Sequence, residues 1–281
     1  MTTSTAKASW KYLVPNAVTA TNMMLGVASL LNTLAGQYQL AGWLILLGVI
    51  FDKLDGSTAR FLKASSRFGV EFDSLADLIT FGMAPAGFVY AVVGGHIPPI
   101  SPVLRSLLAI ACGAYVLASA TRLARFNLDA VAGGSPIYFG VAMPMGAALV
   151  TTFLLVIIKY HGQIYEPWAA DLMILGSWHP AEWMYRFYSI YVFAVAALMV
   201  SDLKIPKPKP TGNRLVNAFL IINFVAVYIT IPLRIFPEYL ALSGIEYVLI
   251  ALYLTLFNKK TKSYKRMTFM DTLAIPPTDE D

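Results

Sequence analysis

Long apolar runs alternate with short polar connections along most of this chain of 281 residues. Runs of about 18 residues or more can cross a bilayer as helices, and they lack the two-residue alternation typical of β-strands. The pattern therefore predicts an all-α, polytopic membrane helical bundle and argues against an outer-membrane barrel. The predicted spans, about eight in total, cover approximately residues 14–35, 38–62, 72–94, 102–126, 139–159, 185–202, 214–235 and 238–257.

A basic, proline-rich segment interrupts this pattern after the sixth predicted span. Proline stiffens a chain and cannot continue a helix, so the segment is typical of a linker. We therefore predict four parts: a six-span core at 1–203, a cytoplasmic linker at 204–213, a two-span C-terminal hairpin at 214–257 and a polar cytoplasmic tail at 258–281.

Composition and charge agree with a membrane location. Hydrophobic residues make up 57% of the chain and charged residues 13%, with a mean hydropathy of +0.63, far from a soluble domain. The net charge of +5 does not indicate nucleic-acid binding, because the basic residues lie between apolar runs and are not grouped with aromatic residues on one soluble face. They are concentrated on alternate connections, as the positive-inside rule describes. We therefore expect an integral protein of the bacterial inner (cell) membrane with both termini in the cytoplasm.

Four aspartates lie inside the second and third predicted spans: Asp52, Asp55, Asp73 and Asp77. A carboxylate at the centre of a membrane helix costs at least about 2.5–3.5 kcal/mol, so each one needs a reason. Spacings of three and four residues put the members of each pair on one helical face. The short connection makes the two helices antiparallel neighbours, so the pairs are expected to face each other near the cytoplasmic surface.

Convergent carboxylates repel each other unless a cation neutralises them. Hard oxygen ligands without nearby histidine favour Mg²⁺, Mn²⁺ or Ca²⁺ over Zn²⁺, and two such ions suit displacement at phosphorus. Gly56 and Ala59 leave room for a ligand or for a neighbouring helix, and Arg60 can form a forked contact with a phosphate. The alternatives are a structural ion-pair network and the ion path of a cation transporter.

The order Asp-x2-Asp-Gly-x2-Ala-Arg-x8-Gly-x3-Asp-x3-Asp, from Asp52 to Asp77, resembles the signature of the CDP-alcohol phosphatidyltransferases. The resemblance implies a helical fold with a six-span catalytic core, a CDP-linked lipid donor, two divalent cations (Mg²⁺ or Mn²⁺) and release of CMP. It also implies roles for single residues. Asp52, Asp55, Asp73 and Asp77 would bind the metals, Asp77 would in addition be the catalytic base, and the donor would contact Gly56, Ala59, Arg60, Gly69 and Thr19.

The segments around the signature are similar to those of family members that transfer a phosphatidyl group from CDP-diacylglycerol to L-serine. They are 15–22, 68–77, 81–86 and 122–127. In the last of these, Arg125 and Phe126 are the preferred contacts for serine, with Arg122 and Asn127 beside them, because an arginine can clamp a carboxylate. Arg122 holding a lipid phosphate is the alternative. The chain departs from the serine-type pattern at 138–146, which leaves the acceptor pocket open.

The resemblance implies CDP-diacylglycerol, L-serine, CMP and membrane lipid as partners, with a homodimer as a possible assembly. Another acceptor alcohol, such as glycerol 3-phosphate or an inositol phosphate, is the nearest alternative, and a cation transporter is a more distant one. The sequence leaves open the choice between acyl and ether lipid donors and the role of the last two helices.

Overall fold

The long helices of the protein follow the apolar runs of the sequence. A computed structural model describes residues 9–64, 66–95, 101–131, 137–161, 173–206 and 214–257. Within these ranges the helices are α1 (Ser9–Leu34), α2 (Tyr38–Leu62), α3 (Arg67–Asp77), a π-helical segment (Leu78–Met83), α4 (Ala84–Gly95), α5 (Pro102–Val131), α6 (Met143–His161), α7 (Glu182–Arg186), α8 (Tyr188–Val200), α9 (Arg214–Leu233) and α10 (Pro237–Phe257). Two short strands, β1 (Ile137–Phe139) and β2 (Lys204–Pro206), pair with each other.

Several of these helices are long and apolar enough to cross a membrane. Among the described residues, five helical stretches meet this criterion: Lys11–Leu34, Arg67–Gly95, Pro102–Leu128, Met143–His161 and Pro237–Phe257. Shorter apolar helices cover Tyr188–Val200 and Asn217–Leu233. Helix α2 has 25 residues but carries the charged residues of the signature. The prediction of a polytopic helical membrane protein is confirmed.

The predicted connection before the third span is shorter than expected, because α3 begins at Arg67. Ser66 caps this helix by accepting a hydrogen bond from the Gly69 amide at 3.0 Å. Helix α2 ends at Leu62, followed by Lys63 in the left-handed conformation. Helix α2 thus ends where predicted, whereas α3 begins five residues before its apolar run, which hydrophobicity alone does not reveal.

Immediately after Asp77 the helix changes from α to π geometry. Two side chains bind backbone carbonyls here: Tyr115 donates to Phe81 at 2.8 Å, and Thr80 donates to Asn22 of α1 at 2.9 Å. Single-turn π segments are rare and occur often at functional sites. Here the segment places Thr80 between α1 and α2.

Glycines allow α1, α2 and the π segment to approach closely at Thr80. A Cβ added to Gly48 would lie 2.5 Å from Thr80 Cγ2, and one added to Gly26 would lie 2.6 Å from Thr80 Oγ1. Small residues let membrane helices pack in this way. The contact fixes the two carboxylate-bearing helices against α1.

The C-terminal hairpin packs onto the rest of the bundle. Helix α10 lies against α6 and β2, and the Thr255 hydroxyl accepts a hydrogen bond from the Lys204 amide at 2.8 Å. The β1–β2 pair is a small departure from the all-α prediction. It forms where Gly140, at φ +74°, lets its amide reach the Leu203 carbonyl at 2.8 Å. The first residues of the predicted linker thus form a strand, whereas 207–213 and the tail at 258–281 lie outside the described residues.

Candidate active site

Three of the four predicted aspartates form a tight group between α2 and α3. Each of Asp52, Asp55 and Asp73 offers a carboxylate oxygen, and these oxygens lie within 4.8 Å of one another. Asp77 is one helical turn beyond Asp73 and lies next to Asp52, with only 9% of its surface exposed. The carboxylates of α2 and α3 therefore meet, as expected from the sequence.

The group has the donor chemistry for a divalent cation. Carboxylate oxygens are hard ligands of the kind that Mg²⁺ and Mn²⁺ take. The Asp73 Oδ1 atom is buried and has no hydrogen-bond partner among the described residues, so a ligand oxygen is left for a cation. Asp52, Asp55 and Asp73 would hold the ion, and a bound divalent cation stabilises charge on phosphate oxygens.

Helix α1 supports these carboxylates with two buried polar side chains. The Thr19 hydroxyl donates to Asp55 Oδ2 at 3.0 Å, and the Asn22 amide donates to Asp77 Oδ1 at 3.4 Å. Thr19 was predicted to bind the donor. In the structure its hydroxyl contacts the carboxylate of Asp55. Asn22 received no role from the sequence, although an uncharged polar residue inside an apolar run is the signal that could have identified it.

The predicted donor-binding residues surround Asp55 on the surface of α2 and α3. A Cβ added to Gly56 would meet no atom within 4 Å, and Arg60 is exposed at the end of α2. Ala59 follows Asp55 by four residues and so shares its helical face. Gly69 lies in the first turn of α3, where an added Cβ would be 3.2 Å from Asn16 Oδ1. The surface of α2 at Gly56 is therefore open, whereas the first turn of α3 at Gly69 is closely packed.

A cavity of about 1680 Å³ adjoins the carboxylates. Asp52, Asp73 and Asp77 line its polar end, and α9 and α10 form much of one wall. Away from the aspartates the lining is largely apolar, as a lipid-binding site requires; its members there include Leu46, Val49, Ala148, Val227, Ile231 and Leu240. Three of the four aspartates therefore reach the cavity, and Asp55 does not.

The structure separates the residues predicted to bind the acceptor. Arg122, Phe126 and Asn127 line the cavity, whereas Arg125 is not among its lining residues and donates from Nη1 to the Val200 carbonyl at 3.5 Å. The Arg122 guanidinium lies 5.8 Å from the centre of the Phe126 ring. Asn127 donates to Ser74 Oγ at 2.9 Å, which ties α5 to α3.

A helical membrane bundle with a carboxylate group that could hold a divalent cation is an arrangement suited to an integral membrane metalloenzyme, and similarity to known proteins identifies the class. The chain belongs to the CDP-alcohol phosphatidyltransferase family, whose model matches residues 12–179. Members of this family are enzymes that depend on divalent metal, and the aspartate group is where this chain could bind one.

Individual relatives carry a more specific name, CDP-diacylglycerol–serine O-phosphatidyltransferase. The protein of that name from Helicobacter pylori is 30% identical over 251 residues, which is 88% of this chain and 96% of the relative. The one from Methanocaldococcus jannaschii is 31% identical and covers 68% of this chain and 72% of its own. The Saccharomyces cerevisiae protein is 34% identical over 65% of this chain and 64% of its own.

Proposed function

We propose that the protein transfers the phosphatidyl group of CDP-diacylglycerol to the hydroxyl of L-serine, giving phosphatidylserine and CMP. The observation that carries this proposal is the buried Asp77, which lines the cavity and lies near both the aspartate group and Arg122. The names of the relatives support serine as the acceptor.

In the proposed reaction Asp77 accepts the proton of the serine hydroxyl. The freed oxygen attacks the phosphorus nearer the lipid, a new phosphate ester bond forms, and the bond to the CMP oxygen breaks. Thr19 and Asn22 hold the carboxylates of Asp55 and Asp77 in place during this step.

In this proposal the head group of the donor and the acceptor occupy different places around the aspartates. The CDP group lies against Gly56, Ala59 and Arg60, where the surface of α2 is open. Serine occupies the cavity beside Asp77. We further propose that two cations, Mg²⁺ or Mn²⁺, bind at the aspartates, since two ions suit displacement at phosphorus.

The direct test is CMP release by the purified protein with CDP-diacylglycerol and a panel of acceptor alcohols. Serine is expected to support CMP release with phosphatidylserine as the lipid product, and to do so only when Mg²⁺ or Mn²⁺ is added. Release with glycerol 3-phosphate or an inositol phosphate, and none with serine, would overturn the choice of acceptor. Replacing CDP-diacylglycerol by an ether-linked analogue in the same assay tests whether the enzyme uses acyl or ether lipid donors.

We also infer that the aspartate end of the bundle faces the cytoplasm of a bacterial cell membrane, because the basic connections lie at that end. The chain has a single cysteine, Cys112, so its replacement by alanine gives a background for labelling. In that background Phe61→Cys is expected to be shielded from an impermeant thiol reagent in intact cells, and Ser177→Cys to react. Both side chains are exposed. The reverse labelling pattern would place the active site outside.

A further inference from the structure

Arg122 is a buried cation with unused hydrogen-bonding capacity inside the cavity. It is 8% exposed, and its Nε is buried with no hydrogen-bond partner among the described residues. A guanidinium in this condition costs free energy unless a ligand satisfies it. Asp52 and Asp77 are close enough to interact with its charge, but no hydrogen bond from Arg122 to either carboxylate is present among the described residues.

Two tyrosines lie near Arg122, and they come from different parts of the chain. Tyr138 belongs to β1, and Tyr247 belongs to α10 of the C-terminal hairpin. Both line the cavity with Arg122. The Tyr138 ring also lies 6.3 Å from Phe126, the ring beneath the guanidinium. The arginine and the two phenols thus form one group of hydrogen-bond donors at the cavity wall.

Tyr247 belongs to the face of helix α10 that lines the cavity. The cavity-lining residues of this helix are Leu240, Ser243, Gly244, Glu246, Tyr247 and Ile250. Most follow the spacing of three and four residues that defines one helical face. Leu242, Leu249 and Tyr253 are exposed on the helix. Because the family match ends at residue 179, this wall lies outside the matched core.

We propose that Arg122, Tyr138 and Tyr247 form a subsite for the carboxylate of the acceptor, and that α10 is therefore part of the active site. This inference rests on the proposed function. Guanidinium and phenol hydroxyls are donors suited to an anion. In serine only two carbon atoms separate the carboxylate carbon from the hydroxyl oxygen, so an anion held by Arg122 leaves the hydroxyl close to Asp77.

Replacing Tyr247 by phenylalanine removes one hydroxyl and keeps the ring. Loss of a hydrogen bond to a charged group is expected to raise the KM for serine about tenfold, with kcat and the KM for CDP-diacylglycerol changed less than about twofold. Tyr253→Phe is the matched control: it lies on the same helix, is 63% exposed and does not line the cavity. It is expected to leave both KM values unchanged.

A rise confined to the KM for CDP-diacylglycerol would mean that the phenol binds the donor phosphates, and unchanged KM values would remove Tyr247 from the site. Either result overturns the proposal.

A double-mutant cycle with Arg122→Lys adds a second test: if both residues bind the same carboxylate, their effects on the KM for serine are not additive. Additive effects would contradict a shared subsite. Absence of serine-dependent CMP release in the unmodified protein would instead overturn the proposed function itself.

Discussion

Asp77 differs from the other three aspartates in its surroundings. Its oxygens are not part of the group formed by Asp52, Asp55 and Asp73, and it accepts a hydrogen bond from Asn22 deep in the bundle. Asp77 lines the cavity, whereas Asp55 does not. A carboxylate beside the metal group, with access to the cavity, is in a position to accept a proton from a bound alcohol.

Substitution by asparagine separates the two roles, because it keeps the shape and removes the charge. Asp77→Asn is expected to abolish turnover, with a loss of about 10²–10⁴-fold or more, and to retain donor binding. Asp52→Asn is expected to weaken metal and donor binding together. CMP release and equilibrium binding of CDP-diacylglycerol measure these effects. Comparable donor affinity in the two variants would contradict the division of roles.

The hydrogen bond from Thr19 to Asp55 gives a prediction about metal affinity. Thr19→Val keeps the branched shape and removes the donor, so Asp55 is held less firmly. Loss of such a supporting contact typically costs about 10–100-fold in metal affinity. The Mn²⁺ concentration that gives half-maximal CMP release is expected to rise accordingly. Thr21→Val is the control, since Thr21 is exposed on α1 and donates only to its own helix at Ala17; an equal shift in both variants would count against the contact.

The aspartates could be predicted from the sequence, but the hydrogen bonds that Thr19 and Asn22 donate to them could not. The spacing of Asp52, Asp55, Asp73 and Asp77 is a local property of two helices, which helical periodicity is enough to interpret. The contacts of Thr19 and Asn22 depend on how α1 packs against α2 and α3, which periodicity does not specify. For the same reason the sequence favoured Arg125 over Arg122 as the serine contact, whereas in the structure Arg122 lines the cavity and Arg125 donates to the end of α8.

At the scale of elements, the π segment after Asp77 packs against both α1 and α2. Thr80 donates to the backbone of α1 and contacts the glycine face of α2. Hydrophobic runs predicted the helices on either side of it, since burial sets their period. The π geometry and the β1–β2 pair could not be predicted in this way, because each depends on a few long-range hydrogen bonds.

Gly48→Ala tests this junction. Its Cβ would lie 2.5 Å from Thr80 Cγ2 and 3.0 Å from Asn22 Oδ1, so the π segment or the Asn22 side chain must move. Overpacking of this kind costs about 1–3 kcal/mol, and displacement of Asn22 is expected to lower kcat as well. Thermal unfolding in detergent and CMP release measure the two effects.

Gly113→Ala on α5 is the matched control for this substitution. A Cβ at Gly113 meets no atom within 4 Å, and alanine favours a helix over glycine by up to about 1 kcal/mol. Stability is therefore expected to be unchanged or higher, with normal activity. If Gly48→Ala behaved in the same way, the close approach at Thr80 would not constrain the site.

At the scale of the whole molecule, the core and the C-terminal hairpin share one cavity. Helices α2, α5 and α6 supply one side of it and helices α9 and α10 the other. A buried ion pair joins these two parts: Lys159 Nζ of α6 lies 2.8 Å from Glu238 Oε1 of α10, and the Tyr160 hydroxyl donates to the same oxygen at 2.6 Å. The sequence placed Lys159 and Glu238 near the ends of predicted spans. It could not predict that they pair, because the two helices are far apart in the chain.

This ion pair predicts how the hairpin is attached. The exposed fractions of the two side chains are 0% for Lys159 and 7% for Glu238, so removing one partner leaves an uncompensated buried charge. Lys159→Met or Glu238→Gln alone is expected to destabilise the protein by about 3–5 kcal/mol, whereas the double variant should recover most of the loss. Thermal unfolding in detergent measures all three.

The exposed pair between Glu182 and Arg186 provides the control for this experiment. Their side chains are 64% and 58% exposed, and water screens their interaction, so Glu182→Gln is expected to leave unfolding unchanged. If the double variant at Lys159 and Glu238 were as unstable as either single variant, charge pairing would not be the reason for the loss. If it recovers, the pair sets the position of α10, and with it the position of Tyr247 at the cavity wall.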